Sequence, residues 1–365
     1  MPASSILLEF ASDAPDLRSD LSAVVLVGNH LWIASDEQKQ LERLTRNATG
    51  GFSSHRSFPL ATLIDLPAEG NDKLDQEIDI EGLAFHDGYL WLVGSHSIKR
   101  KKAESRKGKD ETEGRKRLIE LDEKGNRYLL ARIPLEDPFG PDPTPVRSTA
   151  GNSRSAAQLG GGISGNDLTE AIRSANDGKN GGDQHLARFL SLPGKENGLD
   201  IEGLAVDGRR IFIGLRGPVL RGWSIVLEIE VEEKHDHRLE LRSIDHDIEL
   251  YRKHFLQLDG LGIRDLCVAG DDLLVLAGPS MDHDGPVAIY RWIGGAHPER
   301  ERTLWRESFG DPVMVAHRAK SDRAEGICLI PSEPGAHRVM IAYDSPHGDR
   351  LVDPAGVMAD IFEVP

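Results

Sequence analysis

The chain has 365 residues, a length that suits two average domains or one large β or α/β domain. Its 44 Lys and Arg against 60 Asp and Glu give a net charge of −16, which argues against a general nucleic-acid or membrane-surface binder. No apolar run is long enough to span a bilayer, and no basic leader precedes the first apolar stretch, so we expect a cytoplasmic protein.

One short motif recurs along the chain, and its five copies begin near positions 21, 80, 201, 263 and 324. The clearest copies are Asp79-Ile-Glu-Gly-Leu-Ala and Asp200-Ile-Glu-Gly-Leu-Ala, each followed by a Gly/Asp turn and a second apolar segment. More degenerate copies begin at Leu21, Ile263 and Ala324. The spacing is about 60 residues except for one step of twice that length, and such periodicity indicates a repeat architecture.

Each repeat has the pattern of short β-strands, with two further strands behind the motif in the second and third repeats. Four strands per repeat of about 40–60 residues are typical of a β-propeller. We therefore predict an all-β fold, a single propeller domain over residues 1–365 with five four-stranded blades, or six if the long step holds another blade. Because an open ring leaves exposed edges, we expect Ile6-Leu-Leu-Glu-Phe and Asp360-Ile-Phe-Glu-Val to pair and close it.

Two insertions interrupt the repeats. Residues 97–117 are rich in Lys and Arg, which predicts either a solvated hairpin loop or a mobile basic arm over an anionic ligand. Residues 140–196 fill the long step between the second and third repeats and are a lid candidate. A helix is expected there after a capping-type start at Asp167 and Glu170, and a second short helix over residues 183–189. The apolar positions at helical spacing are Leu168, Ala171, Ile172 and Ala175.

Aligning the copies places Cys267 and Cys328 in one column with Ala84 and Ala205. A column of small apolar residues predicts core positions, so we expect neither cysteine to act in redox chemistry.

Charged residues recur at the heads of the predicted first strands and the tails of the second strands. In a propeller these ends meet around one mouth of the central channel, so we expect the residues to form a rim. The heads supply Asp79, Glu81, Asp200, Glu202, Arg264, Asp265 and Glu325, and the tails supply Asp36, Ser95, His96, Arg216 and Asp344.

Carboxylates crowded at one rim repel one another unless protons or a cation relieve the repulsion. Oxygen ligands without thiolates suit Ca²⁺ or Mg²⁺, so Glu81, Glu202 and Glu325 are predicted metal ligands. The alternative is a structural belt, in which the glutamates pair with Arg216 or Arg264 or accept amide hydrogen bonds.

Several strings of the chain resemble a bacterial family that is defined only as a domain of unknown function. They are Lys195-Glu-Asn-Gly-Leu-Asp-Ile-Glu-Gly-Leu-Ala, Gly214-Leu-Arg-Gly-Pro-Val-Leu-Arg-Gly-Trp, Leu276-Ala-Gly-Pro, Ala324-Glu-Gly and Tyr343-Asp-Ser-Pro. The resemblance covers most of the chain. It implies a propeller and brings no activity with it.

The Glu-Gly-Leu-Ala motif at the start of the repeats is more distantly similar to the corresponding motif of esterase-like phytase proteins and gluconolactonase-type calcium propellers. In gluconolactonase-type propellers a rim glutamate at the start of an inner strand binds the metal. That resemblance implies the role for Glu81, Glu202 or Glu325, although the chain lacks the rest of those families' patterns.

Two functions are compatible with such a rim. The first is a metal-dependent hydrolase of a small anionic ester, a phosphate ester or lactone, with His96 or Asp344 as the general base. Its anionic group would be held by Arg216, Arg221 or Arg264. The second is a propeller without chemistry that captures a small anionic ligand or a protein partner at the same rim. The sequence leaves open which of the two functions applies.

Overall fold

A computed structural model describes residues 2–35, 38–68, 78–103, 111–175, 181–244, 249–281, 283–318, 320–332 and 337–365. The predicted rim residue Asp36 lies outside these ranges, as do residues 104–110 and 176–180 of the two insertions. No helix in the described ranges combines the length and the apolarity that crossing a membrane requires.

Short strands make up most of the ordered structure. The first half of the chain contains β1 (Ser4–Glu9), β2 (Ala23–Val27), β3 (His30–Ala34), β4 (Gln40–Arg46), β5 (Phe52–Pro59), β6 (Ile80–His86), β7 (Tyr89–Gly94), β8 (Lys99–Arg100), β9 (Leu121–Asp122), β10 (Leu130–Glu136), β11 (Thr144–Pro145), β12 (Ala157–Leu159), β13 (Gly161–Gly162) and β14 (Gly165–Asn166). The second half contains β15 (Asp200–Asp207), β16 (Arg210–Leu220), β17 (Trp223–Glu233), β18 (Arg238–Arg242), β19 (Tyr251–Gln257), β20 (Gly262–Ala269), β21 (Asp272–Gly278), β22 (Val287–Trp292), β23 (Thr303–Leu304), β24 (Val313–Val315), β25 (Arg323–Ile330), β26 (His337–Asp344), β27 (Leu351–Val352) and β28 (Gly356–Val364).

Helices are few and short. The described ranges contain two α-helices, α1 (Glu111–Arg117) and α2 (Asp167–Ser174). Short 3₁₀ turns span Pro15–Ser19, Leu60–Thr62, Gly125–Tyr128, Ala187–Phe189, Gly194–Glu196, His235–His237, Arg306–Phe309 and Gly348–Arg350.

Within the described residues the main strands form five antiparallel groups. The first contains β2 to β5; the second β6, β7, β10 and β12; the third β15 to β19; the fourth β20, β21, β22 and β24; and the fifth β25, β26, β28 and β1. The first strands of successive groups contact one another, β2 with β6, β6 with β15, β15 with β20, β20 with β25, and β25 with β2. The inner strands therefore surround a central channel, and the predicted propeller fold class is confirmed.

The two ends of the chain meet in the fifth group. Strand β1 pairs antiparallel with β28, with Ser4 opposite Ile361 and Ile6 opposite Ala359. Strand β1 also makes a parallel bridge to β5 of the first group, at Leu8 and Phe52. The predicted pairing of the termini is confirmed, and it covers an edge that would otherwise be open.

Glycine in the repeat motif allows the inner strands to approach closely. A Cβ atom on Gly82 would lie 2.6 Å from the Cβ of Leu204 on the next inner strand. One on Gly203 would lie 2.9 Å from the Cγ of Leu266, and Gly326 packs in the same way against β2. A side chain at Gly82 or Gly203 would force the neighbouring inner strand to shift, which explains the Gly that follows Glu in the motif.

The fourth repeat carries Asp265 where the second, third and fifth repeats carry this glycine. Its side chain is buried and accepts hydrogen bonds from the backbone N–H groups of Leu266 and Ile327, each at 2.8 Å. Burial raises the pKa of Asp265 well above its ordinary value, although these N–H groups oppose the shift. Asp265 therefore joins the fourth and fifth groups, and its expected place on the rim was wrong.

The N-cap residue of helix α2 is Asn166, one residue before the predicted capping residue Asp167. The side chain of Asn166 accepts the N–H groups of Leu168 and Thr169, and the Thr169 hydroxyl accepts the Asn166 N–H at 2.9 Å. The helix is confirmed, but its capping pair is Asn166 with Thr169, and the expected pair of Asp167 with Glu170 was wrong. Asn166 is the N-cap because its side-chain oxygen accepts hydrogen bonds from two N–H groups of the first turn, those of Leu168 and Thr169.

The insertion of residues 140–196 is also bonded to the third strand group through Asp183. The predicted second helix is reduced to the 3₁₀ turn Ala187–Phe189. Before it, the buried carboxylate of Asp183 accepts the Tyr251 hydroxyl at 2.6 Å and lies 2.5 Å from the Lys253 ammonium, both residues of β19. These bonds hold the insertion against the propeller.

The two cysteines are free thiols, and they lie on the inner strands β20 and β25. Cys328 is buried, as expected, and Cys267 is half-buried. Burial raises the pKa of Cys267 to about 12, so its thiol is protonated at neutral pH.

Candidate functional site

Four inner strands break register with their neighbours at the same repeat position. In each case one residue has no partner in the pairing, and these residues are Glu81, Glu202, Arg264 and Glu325. A β-bulge of this kind leaves one residue unpaired and redirects its side chain. The repeated bulge therefore explains why all four charged side chains line one cavity at the channel mouth.

The charges at the mouth alternate in sign along one chain of ion pairs. Arg216 contacts Asp200 and also Glu202, its Nη1 lying 2.5 Å from the Glu202 Oε1. The Nε of Arg264 lies 2.9 Å from the other Glu202 oxygen, and its Nη2 contacts Glu325. We call these five residues the ion-pair belt.

The belt arginines remain protonated although they are enclosed. Burial lowers the pKa of Arg216, but Asp200 and Glu202 outweigh it, so the pKa is raised. Arg264 behaves in the same way, with Glu202 and Glu325 as the carboxylates that outweigh burial. Burial raises the pKa of Glu202, although both arginines oppose this shift. Because two guanidinium groups contact its side chain, we nevertheless assign Glu202 as an ionised carboxylate.

Asp79 forms a separate buried ion pair beside the belt. One of its oxygens lies 2.7 Å from the Lys99 Nζ, and the other lies 3.3 Å from the Arg127 Nε and accepts the Ser95 hydroxyl at 2.5 Å. Burial alone would raise the pKa of Asp79, but Lys99 and Arg127 lower it below its ordinary value. Arg127 was not predicted as a partner of Asp79, because it lies outside the repeat motif.

The two insertions meet beside this mouth. The backbone N–H of Gly194 donates to the Ile98 carbonyl at 2.9 Å, and Arg100 binds the carboxylate of Glu196 through two nitrogens. Lys102 of the first insertion and Lys195 of the second both line the cavity. Both insertions therefore reach the same face of the propeller.

The cavity at the mouth has a volume of about 320 Å³. Among the predicted site residues, those that line it are Glu81, Glu202, Glu325, Arg216, Arg264 and Asp344. Asp344 is half-buried, accepts the Ser345 hydroxyl at 3.0 Å, and lies 3.9 Å from Arg323. Arg221 does not line the cavity, because it occupies the exposed turn between β16 and β17 with a φ of 51°.

His96 is also absent from the cavity wall. It is buried, with Nδ1 2.7 Å from the Gly94 carbonyl and Nε2 2.6 Å from the side-chain amide of Asn166. Burial lowers its pKa to about 4. Both ring nitrogens are occupied inside the protein, so the structure does not bring the predicted base to the site.

The described rim does not fit a Ca²⁺ or Mg²⁺ ion. The described residues contain no group of three or more His, Cys, Asp or Glu side chains arranged to hold a metal. The Oε2 of Glu202 is buried without a hydrogen bond of good geometry, but the Arg264 guanidinium 2.9 Å away already balances its charge. A cation at Glu202 would have to displace two arginines.

Four further polar side chains line the cavity, and sequence reasoning missed their role. Lys102, Lys195, His283 and His317 are exposed and have no side-chain hydrogen bond or ion pair to any described residue. Lys102 belongs to the predicted basic arm over an anionic ligand, and this arm was the one sequence feature that pointed to any of the four side chains. Neither histidine belongs to the repeat motif, and the string Asp282-His-Asp-Gly that contains His283 indicates only a turn.

Residues 20–360 match the family described as "Protein of unknown function (DUF3616)". The chain belongs to this family. The family assignment confirms the resemblance inferred from the repeat strings. A search of curated proteins finds no match.

Solved structures with low sequence identity are similar to the chain over most of its length. Glutaminyl cyclase from Myxococcus xanthus is 11% identical, with all of both chains covered and a TM-score of 0.39. The PQQ-bound aldose sugar dehydrogenase from Streptomyces coelicolor is 12% identical, with 99% of each chain covered and a TM-score of 0.35. A putative 6-phosphogluconolactonase from Bacteroides uniformis is 12% identical, with 93% of this chain and 73% of that chain covered and a TM-score of 0.32.

Proposed function

We propose that this protein is a binding propeller that captures a small anionic ligand in the cavity at its channel mouth. The ion-pair belt forms the floor of the site and holds the inner strands together. Lys102, Lys195, His283 and His317 supply the groups that contact the ligand.

The proposal rests on one observation: the acidic and the basic side chains of the cavity differ in whether they have partners within the protein. Most of the carboxylates are engaged by cations: those of the belt by arginines, Asp79 by Lys99 and Arg127, and Asp322 by Arg350 at 2.9 Å. Asp284 also lines the cavity, where it is exposed and accepts the backbone N–H of Lys320 at 3.0 Å. Glu81 acts on both belt arginines and raises their pKa values.

The groups without a partner among the described residues are instead ammonium and imidazole side chains. Both can donate hydrogen bonds to phosphate or carboxylate oxygens, and the lysines add positive charge. Loops and insertions that gather over one mouth are a common setting for ligand binding. An anionic ligand is therefore the chemistry that this cavity complements.

Metal-dependent ester hydrolysis has less support from the same residues. Its predicted metal ligands Glu202 and Glu325 are held by arginines, and His96 is buried away from the cavity. Asp344 is the one predicted base that lines the cavity among the described residues. Binding is therefore the function that the geometry supports best.

Calorimetric titration of the full chain with inorganic phosphate at low salt tests the proposal. We expect saturable binding that weakens at least fivefold in Lys195→Ala and weakens with added salt, because exposed charges are screened. Lys101→Ala is the matched control, since Lys101 pairs with Glu120 at 2.6 Å and does not line the cavity. Equal phosphate affinity in both variants would contradict the proposed site.

A further inference from the structure

We propose that a second cavity of this protein binds a small molecule with one anionic group and an apolar body. The cavity lies at the junction of the first and fifth strand groups, where the ring closes. None of the described residues that line it also lines the cavity at the channel mouth. We call it the seam cavity, and its ligand is separate from the one proposed for the mouth.

The seam cavity opens beside the bridge between β1 and β5. Within the described strands, β1 meets β5 at Leu8 and Phe52, whereas Ser4 to Leu7 pair with β28. The turn after β4 packs against the same part of β1, since a Cβ atom on Gly51 would lie 2.9 Å from the Leu7 carbonyl oxygen. The cavity has a volume of about 410 Å³, within the range of about 300–1,000 Å³ that is usual for small-molecule sites.

The charged residues that line the seam cavity are cationic. They are Arg46 of β4 and Arg338 of β26, and no Asp or Glu of the described ranges joins them. Both arginines are half-buried, and neither forms an ion pair or a side-chain hydrogen bond with a described residue. Glu363 lies opposite Arg338 in the pairing of β26 with β28, yet the two side chains form no ion pair. A cavity lined by cations alone is therefore set into a chain whose net charge is −16.

These two arginines are suited to hold an anion. Guanidinium groups stay protonated at neutral pH, and each offers several N–H donors to the oxygens of a carboxylate, sulfate or phosphate. The Arg46 guanidinium also lies over the Phe52 ring, 5.0 Å from its centroid, and this contact orients it before a ligand binds. An anionic group is therefore the polar feature that the seam cavity complements.

The inner part of the seam cavity is apolar. Ile6, Ile330 and Ile361 line it, and all three belong to or pack against the hydrophobic core between the first and fifth groups. These side chains are buried or half-buried, whereas the lining residues Ser5 and Thr49 are exposed. A ligand that fills the cavity therefore gains free energy by covering apolar surface as well as by pairing its charge. An amphipathic anion, such as a medium-chain carboxylate, meets both conditions.

Three probes separate the anionic group from the apolar body. Octanoate has both features, 1-octanol has the same chain without the charge, and acetate has the charge without the chain. In calorimetry on the full chain at low salt, we expect octanoate to bind roughly tenfold or more tightly than either of the other two. 1-Octanol lacks the charge-assisted hydrogen bonds, and acetate lacks the apolar contact.

Removal of both guanidiniums tests the site itself. The double variant Arg46→Met with Arg338→Met should lower the affinity for octanoate to about that of 1-octanol and leave the affinity for 1-octanol unchanged. The matched control is Arg115→Met with Arg300→Met, because both of these arginines are exposed and neither lines the cavity. Since the cavity arginines have no ion pair to lose among the described residues, the double variant should melt close to the temperature of the wild type.

A substitution in the apolar part gives a second test. Ile330→Ser leaves both arginines in place and should weaken the binding of octanoate roughly fivefold or more, because the alkyl chain loses apolar contact. The same variant should leave the affinity for acetate unchanged. Equal losses for octanoate and acetate would contradict the placement of the alkyl chain.

The proposal as a whole is overturned if octanoate gives no heat, or if Arg46→Met with Arg338→Met binds it as the wild type does. Equal affinities for octanoate and 1-octanol would overturn the anionic group, and equal affinities for octanoate and acetate would overturn the apolar body. Lys195→Ala should bind octanoate unchanged, because Lys195 lines the mouth and not the seam cavity. A loss in Lys195→Ala would place octanoate at the mouth. Phosphate binding at the mouth is measured separately, so either proposal can fail while the other stands.

Discussion

The side-chain amide of Asn166 donates a hydrogen bond to Nε2 of His96 at 2.6 Å and another to the Tyr128 carbonyl at 2.8 Å. The Asn166 oxygen is already engaged in capping helix α2, which assigns its nitrogen as the donor. Nε2 of His96 must therefore accept, and Nδ1 carries the proton that is donated to the Gly94 carbonyl. A neutral imidazole thus joins the second strand group to the helical insertion.

Acidification should weaken this link and lower the free energy of unfolding. The pKa of His96 is about 4 in the folded protein, against 6.5 for an unperturbed histidine. The unfolded chain therefore binds a proton as the pH falls through 6.5, whereas the folded protein does not until about pH 4. We expect His96 to account for a loss of about 3 kcal/mol between these pH values.

His96→Gln is the matched control, because a Gln amide can accept from Asn166 and donate to Gly94 but does not titrate. Urea unfolding of both proteins between pH 7 and pH 4 should give a shallower pH dependence for the variant. Identical slopes would mean that the histidine is not held in its neutral form.

Gly82→Ala should destabilise the propeller by about 1–3 kcal/mol, the usual cost of forcing extra atoms into a packed core. The added Cβ would lie 2.6 Å from the Cβ and 2.9 Å from the backbone nitrogen of Leu204, and the backbone nitrogen cannot rotate away. Gly348→Ala is the control, since no atom lies within 4 Å of its added Cβ. Thermal unfolding checks both, and equal melting temperatures would contradict the close packing.

Glu202→Gln should destabilise the protein by about 1–3 kcal/mol, because it leaves two buried guanidinium groups without their shared carboxylate. Glu120→Gln removes only an exposed partner of Lys101 and should leave stability unchanged within error. Urea unfolding at pH 7 compares the three proteins. A Glu202→Gln protein as stable as the wild type would argue against a structural belt.

Calcium titration distinguishes the belt from the metal site that the sequence suggested. Because arginines already neutralise Glu202 and Glu325, we expect no saturable heat when metal-stripped protein is titrated with Ca²⁺, Mg²⁺ or Mn²⁺. A one-site binding curve for Ca²⁺ that is lost in Glu202→Gln would contradict this expectation and restore the hydrolase hypothesis.

The fold could be predicted because its signals are local and repeated. Strands require alternating apolar residues over a few positions, and the Glu-Gly motif at Asp79 and Asp200 marks the start of an inner strand each time it recurs. The same repetition allowed Glu81, Glu202, Arg264 and Glu325 to be assigned to one rim, since equal positions in a repeat occupy equal positions around the ring.

The partners of those charges could not be predicted in the same way. Whether Glu202 binds a cation or Arg216 and Arg264 depends on distances of a few ångströms between different blades, which no spacing in the chain specifies. His96 shows the same limit: it lies one residue beyond Ser95 at a strand end, yet its positive φ of 53° and the capping residue of a distant insertion turn it into the interior. Local sequence patterns were therefore enough to predict the propeller and the ring of charged positions. Which of those charges neutralise one another could be learned only from the folded chain, because ion pairing depends on side-chain geometry across the channel.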